Sequence, residues 1–259
     1  MSEFTFLTEI LTEVDLPVKN DYKIAVIILS SDKNDFVGHC DILGQSANGL
    51  LHKSCEDYDV YEAQYSGEAD YVKIASQFAD SADYLVLLHS DTPLISHTTL
   101  VDAIDYATCK NLDYCFLHRG VILKSSSVQK SSFELSSKAD FLNKEDFIRV
   151  YDNVSLSKVR EILEKRIVFS HIANGVDIVS PANVYIDYNV SIAKGVIIMP
   201  FNSIRGNSRI GENTIIMEHN TIINSTIGQN CKLSACIVRD SIIKDGSRLC
   251  LENILGDKK

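Results

Sequence analysis

The stretch Ile186–Ile222 reads IDYNVSIAKGVIIMPFNSIRGNSRIGENTIIMEHNTI, and every sixth residue in it is isoleucine. A second series lies two residues earlier in each repeat and turns polar partway along: Val184, Val190, Val196, Asn202, Ser208 and Thr214. A six-residue apolar period fits neither an α-helix nor a strand of an ordinary sheet. It is typical of a hexapeptide β-helix, in which each repeat supplies one short strand and one corner.

Beyond Ile222 the same period continues with two interruptions. It slips by one residue near Ser225 and again near Ala235, and it returns at Leu249. Gly, Asn and Asp recur at the predicted corners, where they tolerate positive φ angles. The number of hexapeptides predicts roughly four coils.

The chain before the repeats alternates between strand-like and helix-like segments. Strands are predicted at 22–29, 57–62, 84–88 and twice within 115–124, and helices at 4–14, 68–79, 98–109, 144–150 and 155–168. This alternation favours a small parallel-sheet α/β domain. The serine-rich segment 124–138 is predicted to be an exposed loop. The predicted division is an N-terminal helix (1–20), a small α/β domain (21–154), a connecting helical arm (155–175) and a β-helix (176–259).

Composition excludes several classes of protein. The net charge is −10 and no basic stripe occurs, which argues against nucleic-acid binding. No apolar run approaches the roughly 20 residues that span a bilayer, and the acidic N-terminal residues do not read as a signal peptide. Seven scattered cysteines without C-x-x-C spacing suit reduced thiols in a cytoplasmic protein.

The entry into the repeats carries a specific resemblance. Residues 166–187 read RIVFSHIANGVDIVSPANVYID, and both register slips follow downstream. This pattern resembles the bifunctional bacterial N-acetylglucosamine-1-phosphate uridyltransferase/glucosamine-1-phosphate acetyltransferase family. The resemblance implies a Rossmann-like nucleotidyltransferase domain, a helical arm and a left-handed β-helix. It also implies a homotrimer formed through the β-helix, a nucleotide-sugar ligand and, in an active enzyme, Mg²⁺.

The phosphate-binding loop of that family, L-A-A-G-x-G-T-R-M, corresponds here to L-S-S-D-K-N-D-F at Leu29–Phe36. Both glycines and the arginine are replaced, and two aspartates would repel a triphosphate. Lys33 is the remaining candidate for a phosphate contact, although a single loop lysine is more often a solvated charge. Ser66 and Gly67 are the counterparts of a family stretch that contacts base and sugar.

The second family signature, a buried strand ending in G-D-x-P-L, corresponds to H-S-D-T-P-L at His89–Leu94. The resemblance makes Asp91 the Mg²⁺ ligand, while an aspartate before a proline can equally be a turn or cap residue. The family's second ligand falls on Tyr151, so Asp152 or Asn153 would have to replace it. The segment from Asp91 to this point is also much shorter than in the family.

The acetyltransferase half of the family requires a catalytic histidine in a later coil. His219 lies in an early coil and reads as an exposed corner residue, and His171 at the entry to the repeats reads as structural. A hexapeptide-repeat acyltransferase is therefore the third hypothesis. The first is a non-catalytic trimeric scaffold or binding module with a degenerate active site. The second is a divergent Mg²⁺-dependent sugar-1-phosphate nucleotidyltransferase.

Overall fold

The computed structural model describes residues 22–31, 37, 40–64, 71–130 and 135–256. The predicted N-terminal helix at 4–14 lies outside these residues. Two compact units divide the chain, and each is discontinuous in sequence. The first unit takes its described residues from Met1–Asp32, Ser54–His89 and Ile95–Lys144, and the second from Lys33–Lys53, Ser90–Leu94 and Glu145–Lys259.

The first unit is built on one six-stranded sheet with helices beside it. Its strands are β1 (Ile24–Ser30), β2 (Asp59–Gln64), β3 (Tyr84–His89), β4 (Tyr114–Phe116), β5 (Val121–Lys124) and β6 (Ser136–Lys138). Its helices are α2 (Tyr71–Phe78), α3 (His97–Cys109) and α4 (Ser125–Lys130), and α1 (Ala47–Ser54) lies in the second unit up to Lys53. Strand β3 is buried along its whole length, as its continuous apolar run predicts.

The strand order is β2-β1-β3-β5-β4-β6, and the sheet is mixed. Strands β1, β2 and β3 are parallel, whereas β5 runs antiparallel to both β3 and β4. The predicted parallel sheet therefore contains one strand, β5, that runs antiparallel to its neighbours. Only four residues, 117–120, connect β4 to β5, and a connection this short joins antiparallel neighbours because a parallel pair needs a long crossover.

The predicted exposed loop at 124–138 is also corrected, because it contains α4 and β6. Val128 is buried in the core of the first unit. The hydroxyl of Ser125 donates to the Ala82 carbonyl at 2.6 Å, and that of Ser127 donates to Asp113 Oδ1 at 2.5 Å. Serine-rich composition predicts a loop only when the hydroxyls face water, and here the buried ones are hydrogen-bonded.

The second unit contains the predicted β-helix. Its strands are β7 (Asp177–Ile178), β8 (Val184–Ile186), β9 (Ser191–Ile192), β10 (Ile197–Ile198), β11 (Asn202–Arg205), β12 (Arg209–Ile210), β13 (Ile215–Ile216), β14 (Thr221–Ile223), β15 (Thr226–Ile227), β16 (Lys232–Ser234), β17 (Ile237–Arg239), β18 (Ile242–Ile243), β19 (Arg248–Cys250) and β20 (Asn253–Leu255). They form parallel sheets of five, five and four strands. Four complete coils and two strands of a fifth confirm the predicted number.

The first slip in the period, near Ser225, has a geometric cause. Ile186, Ile204 and Ile222 are paired in register, three hexapeptides apart. The corner Gly206–Ser208 has three residues, whereas the corner below it, Asn224 and Ser225, has two, so the later coils are shorter. Asn224 takes a positive φ of 47°, which lets the shorter corner close.

Polar residues that interrupt the second apolar series are buried in the β-helix. Asn220 Nδ2 donates to Asn202 Oδ1 at 3.0 Å, and the Cys236 N–H donates to Asn220 Oδ1 at 2.9 Å. The Ser225 N–H likewise donates to Ser208 Oγ at 3.2 Å. Each polar side chain therefore bonds to the coil next to it, and the repeat continues because buried polar groups are satisfied.

A long helix, α5 (Asn153–Ala173), leads into the β-helix, and two 3₁₀ turns lie at Lys144–Phe147 and Pro181–Asn183. Helix α1 is a further element that no sequence pattern predicted. Ser46 Oγ accepts from the Gly49 N–H at 3.0 Å at its start, and Leu50 and Leu51 are buried. No helix among the described residues is long and apolar enough to cross a membrane.

Candidate functional site

The carboxyl edge of the sheet in the first unit is the expected place for a ligand. Strands β1, β3 and β4 run in one direction, because β1 is parallel to β3 and because β3 and β4 are both antiparallel to β5. Their last residues, Ser30, His89 and Phe116, therefore lie at the same edge. Open α/β sheets bind ligands outside the carboxyl ends of their strands.

Three polar side chains of the first unit meet at this edge. His89, which is 3% exposed, ends β3, Tyr71 begins α2, and Arg119 lies in the turn from β4 to β5. Tyr71 Oη lies 2.6 Å from His89 Nε2, and an Arg119 terminal nitrogen lies 3.2 Å from His89 Nδ1. The Tyr71 and His89 rings pack edge to face with centroids 5.9 Å apart.

Asp91, the best-matched catalytic position, lies in the second unit. Its side chain is only 8% exposed and its Oδ2 accepts from Arg149 Nε at 3.0 Å. The Asp91 carbonyl also accepts from the Val150 N–H at 2.8 Å. The Arg149 guanidinium lies 6.0 Å from the centre of the Tyr151 ring. A buried carboxylate thus has a cation from its own chain as a partner.

A second arginine holds the same segment of the second unit. Arg166, on α5, donates to Asp146 Oδ1 at 2.5 Å and to the Leu94 carbonyl at 2.8 Å. The Asp146 side chain is 8% exposed. Asp91 and Leu94, near the two ends of Ser90–Leu94, are therefore hydrogen-bonded to residues much later in the sequence. Asp91 bonds to Arg149 and Val150, and Leu94 bonds to Arg166.

Asp152, the candidate second metal ligand, is the N-cap of α5. Its Oδ1 accepts from the Ser155 N–H at 2.7 Å, and Ser155 Oγ accepts from the Asp152 N–H at 3.0 Å. This reciprocal arrangement is a capping box, here with serine at N3 in place of Glu or Gln. The hydrogen bond from the Ser155 backbone holds the pKa of Asp152 below its usual range.

The donors around Asp91 and Asp152 do not suit Mg²⁺. Mg²⁺ prefers an octahedron of oxygen ligands, whereas Asp91 Oδ2 faces a guanidinium and Asp152 Oδ1 faces a backbone N–H. A divalent cation at Asp91 Oδ2 would have to compete with Arg149. Within the described part of the chain, no group of three or more His, Cys, Asp or Glu side chains is placed to hold a metal.

The other sequence candidates have mixed outcomes. Lys33, Ser66 and Gly67 lie outside the described residues, so their ligand roles stay predictions. His219 takes a positive φ at a corner and is exposed, and its ring stacks on Phe201 with centroids 5.3 Å apart. Burial lowers the pKa of His171, which lies at the end of α5.

Sequence reasoning missed the partners of these residues. Arg149 is 58 residues from Asp91, and Arg119 is 30 residues from His89. Periodicity and short motifs indicate only which residues are close along the chain. They therefore cannot predict either of these pairs. The one available hint was His89 itself, a titratable residue at the end of a buried strand.

Comparison with curated proteins finds proteins named bifunctional protein GlmU. The Pediococcus pentosaceus protein is 33% identical over 122 residues, which cover 47% of this chain and 26% of that protein. The Clostridium beijerinckii protein is 37% identical over 103 residues, or 40% of this chain and 23% of that protein. The Clostridioides difficile protein is 25% identical over 272 aligned positions, covering 80% of this chain and 59% of that protein.

The matched parts of these three relatives thus amount to between 23% and 59% of their own length. No protein-family model matches the chain. Among solved structures, molybdopterin-guanine dinucleotide biosynthesis protein A from Archaeoglobus fulgidus aligns with 55% of this chain and 99% of its own at 11% identity and a TM-score of 0.38. The resemblance predicted from residues 166–187 is confirmed, and the chain is similar to bifunctional GlmU proteins over part of their length.

Proposed function

We propose that this sugar-nucleotidyltransferase-related protein lacks transferase activity and serves in the cytoplasm as a trimeric scaffold or binding module. The observation that carries the proposal is the ion pair between Asp91 and Arg149. Phosphoryl transfer depends on cations that neutralise charge on the phosphates, and a metal-binding carboxylate must be available to hold them. Here Arg149 of the same chain forms an ion pair with the Asp91 carboxylate.

Two further observations support the loss of activity. Asp152 begins α5 as its N-cap, so the carboxylate that would have to replace the family's second metal ligand has a structural role. The loop Leu29–Phe36 also lacks the two glycines and the arginine of the family. Backbone N–H groups cannot approach phosphates as closely when bulky or acidic residues replace glycine.

The proposed trimer would use an outward face of the β-helix. On the sheet that contains β7, β10 and β13, the buried residues Ile178, Ile198 and Ile216 alternate with outward apolar ones. The outward residues are Val179, Ile197, Met199, Ile215 and Met217. Val179 is 52% exposed, and Phe201 at the next corner is 58% exposed. A continuous apolar surface of this kind favours association with another protein surface.

Light scattering at micromolar concentration tests the trimer. We expect three chains per particle for the wild type and a smaller particle for Met199→Glu, because a charge on an apolar contact is costly to bury. Ile242→Glu, on the exposed side of β18, is the matched control and should leave the particle unchanged. A monomeric wild type would contradict the proposal.

Titration calorimetry with Mg²⁺ tests the loss of metal binding. We expect no saturable Mg²⁺ binding tighter than about 1 mM, whether or not UTP or UDP-N-acetylglucosamine is present. The alternative is a divergent Mg²⁺-dependent sugar-1-phosphate nucleotidyltransferase in which Asp91 holds the ion. Submillimolar Mg²⁺ binding that Asp91→Asn removes would favour that enzyme instead.

A further inference from the structure

One sheet of the β-helix, the β7 sheet, contains β7, β10, β13, β16 and β19 and changes character along its outward side. On β10 and β13 the outward residues Ile197 and Ile215 are apolar. On β16 the inward residue Leu233 is buried, so Lys232 points outward, and Arg248 does the same on β19. Both cations are exposed. The apolar part of this side is therefore followed by a cationic part.

Lys232 and Arg248 are neighbours in register on adjacent parallel strands. Strands in a sheet lie about 4.8 Å apart, so the two positive charges repel each other. In the described part of the chain, neither cation forms an ion pair with a carboxylate. Carboxylates of another molecule can supply the missing negative charge.

Two carboxylates lie at the corner that follows the β7 sheet. Glu218 comes just before His219 and Glu252 just after Leu251, and both His219 and Leu251 take positive φ angles at that corner. Glu252 is exposed and Glu218 is partly exposed. Neither forms an ion pair with any residue that the structure describes. The corner thus carries negative charge that is complementary to the cations of the sheet.

The corner that follows the sheet is also apolar. Phe201 is 58% exposed there, and Leu251 is 80% exposed. The corner that precedes the sheet reads A-K-G, G-E-N, G-Q-N and K-D-G in successive coils, starting at residues 193, 211, 228 and 244, and has no large apolar side chain. Only the corner after the sheet therefore combines exposed apolar side chains with carboxylates.

The coils set the levels at which these groups can meet. A closed ring of three copies pairs one surface of each copy with a different surface of the next. A threefold axis along the direction in which the coils stack keeps every coil at its own level, so Arg248 and Glu252, which share a coil, meet at one level. Glu218 follows β13, which is paired with β16, so it lies about 4.8 Å from the level of Lys232. A lysine side chain is long enough to cover this difference.

We propose that Lys232 and Arg248 of one copy bind Glu218 and Glu252 of a second copy, so that the β7 sheet of each chain docks on the corner of the next. The inference rests on the proposed function, because it names the surfaces that hold the proposed trimer together. The apolar residues supply the buried area. The charged pairs select the partner surface and its level, since a misplaced copy brings like charges together.

Charge reversal tests these pairs in the full chain. Light scattering over a concentration series at low salt, where charges are least screened, gives the concentration at which half of the chains are assembled. For Lys232→Glu/Arg248→Glu we expect that concentration to rise at least about tenfold, because carboxylates then face carboxylates. Arg209→Glu, which reverses an exposed charge on β12, is the matched control and should assemble like the wild type.

Exchange of the charges separates a specific pairing from a general loss of assembly. Glu218→Lys/Glu252→Lys should weaken assembly to a similar extent. The four-site variant that combines both reversals restores each pair with opposite polarity, so it should assemble within about threefold of the wild-type concentration. This recovery would also exclude unfolding as the cause of the losses.

A zero-length carbodiimide, which joins an amine to a carboxylate that contacts it, gives a second readout. In a mixture of ¹⁴N- and ¹⁵N-labelled chains, we expect mass spectrometry to find Lys232 joined to Glu218 in peptides that carry one label of each kind. Lys232→Gln should abolish this product.

The outcomes separate the charge pairing from the proposed trimer. A monomeric wild type would refute both. A trimeric wild type whose assembly is unchanged in Lys232→Glu/Arg248→Glu, or is not recovered in the four-site variant, would refute the charge pairing alone.

Discussion

The β-helix interior and the segment Ser90–Leu94 differ in what their buried polar residues do. In the β-helix, Asn202 and Ser208 interrupt an apolar series, yet each is hydrogen-bonded to the neighbouring coil. At Ser90–Leu94 the expected metal ligand, Asp91, is bonded to Arg149. The first region keeps its architecture through substitution, because a repeat needs only that every buried group be satisfied. The second region keeps an aspartate where the resemblance implies a metal ligand, and an arginine of the same unit is its partner.

The largest effect should come from the apolar stack of the β-helix. Ile204 is fully buried between Ile186 and Ile222, so Ile204→Ala should cost about 2–5 kcal/mol of unfolding free energy. Ile242, 79% exposed on β18, is the matched control, and Ile242→Ala should change stability by less than about 0.5 kcal/mol. Denaturant unfolding measures both, and equal losses would contradict the assignment of the inward face.

The polar ladder, meaning the hydrogen bonds that link Asn202, Asn220 and Cys236 in neighbouring coils, should matter somewhat less. Asn220→Ala leaves the buried Cys236 N–H without its acceptor and removes the donor to Asn202, which should cost about 1–3 kcal/mol. Asn207→Ala, at an exposed corner, serves as the control. If the two variants unfold at the same denaturant concentration, the ladder is not a stabilising feature.

Breaking the Asp91–Arg149 pair should cost about 1–2 kcal/mol, because Arg149 is 50% exposed and water can partly replace it. Arg149→Met tests this by thermal unfolding, with Lys165→Met in the exposed Glu161–Lys165 pair as control, where we expect a much smaller loss because solvent screens exposed charges. The double variant with Asp91→Asn should lose less than the sum of the single losses. Strict additivity would mean that the two residues do not interact.

Asp152 should give the smallest effect and a pH signature. Its folded-state pKa is lowered by the Ser155 backbone bond, so its contribution exists above the unfolded-state pKa of about 3.9 and disappears as pH falls through the lower folded-state value. Asp152→Ala should therefore melt below the wild type at pH 7, with the gap closing in strong acid. Asp152→Asn keeps a cap acceptor and should lie closer to the wild type. A gap that persists at about pH 2 would contradict this role.

The sequence predicted what is periodic and local. The spacing of Ile186, Ile204 and Ile222 gave the coil length, and the strand Tyr84–His89 was evident from its apolar run. Pairs distant along the chain were not predictable. No motif near Asp91 in the sequence predicts that Arg149 is its partner. Helix α4 was not predicted because its serines suggested an exposed loop, whereas their hydroxyls are hydrogen-bonded within the fold.

The proposed loss of transferase activity requires that Asp91 bond to Arg149 and not to a catalytic metal. The most direct measurement is pyrophosphate release from UTP and N-acetylglucosamine 1-phosphate in the presence of Mg²⁺, for the wild type and Asp91→Asn. We predict that both proteins release pyrophosphate no faster than a blank without protein. Magnesium-dependent release by the wild type that Asp91→Asn abolishes would contradict the claim.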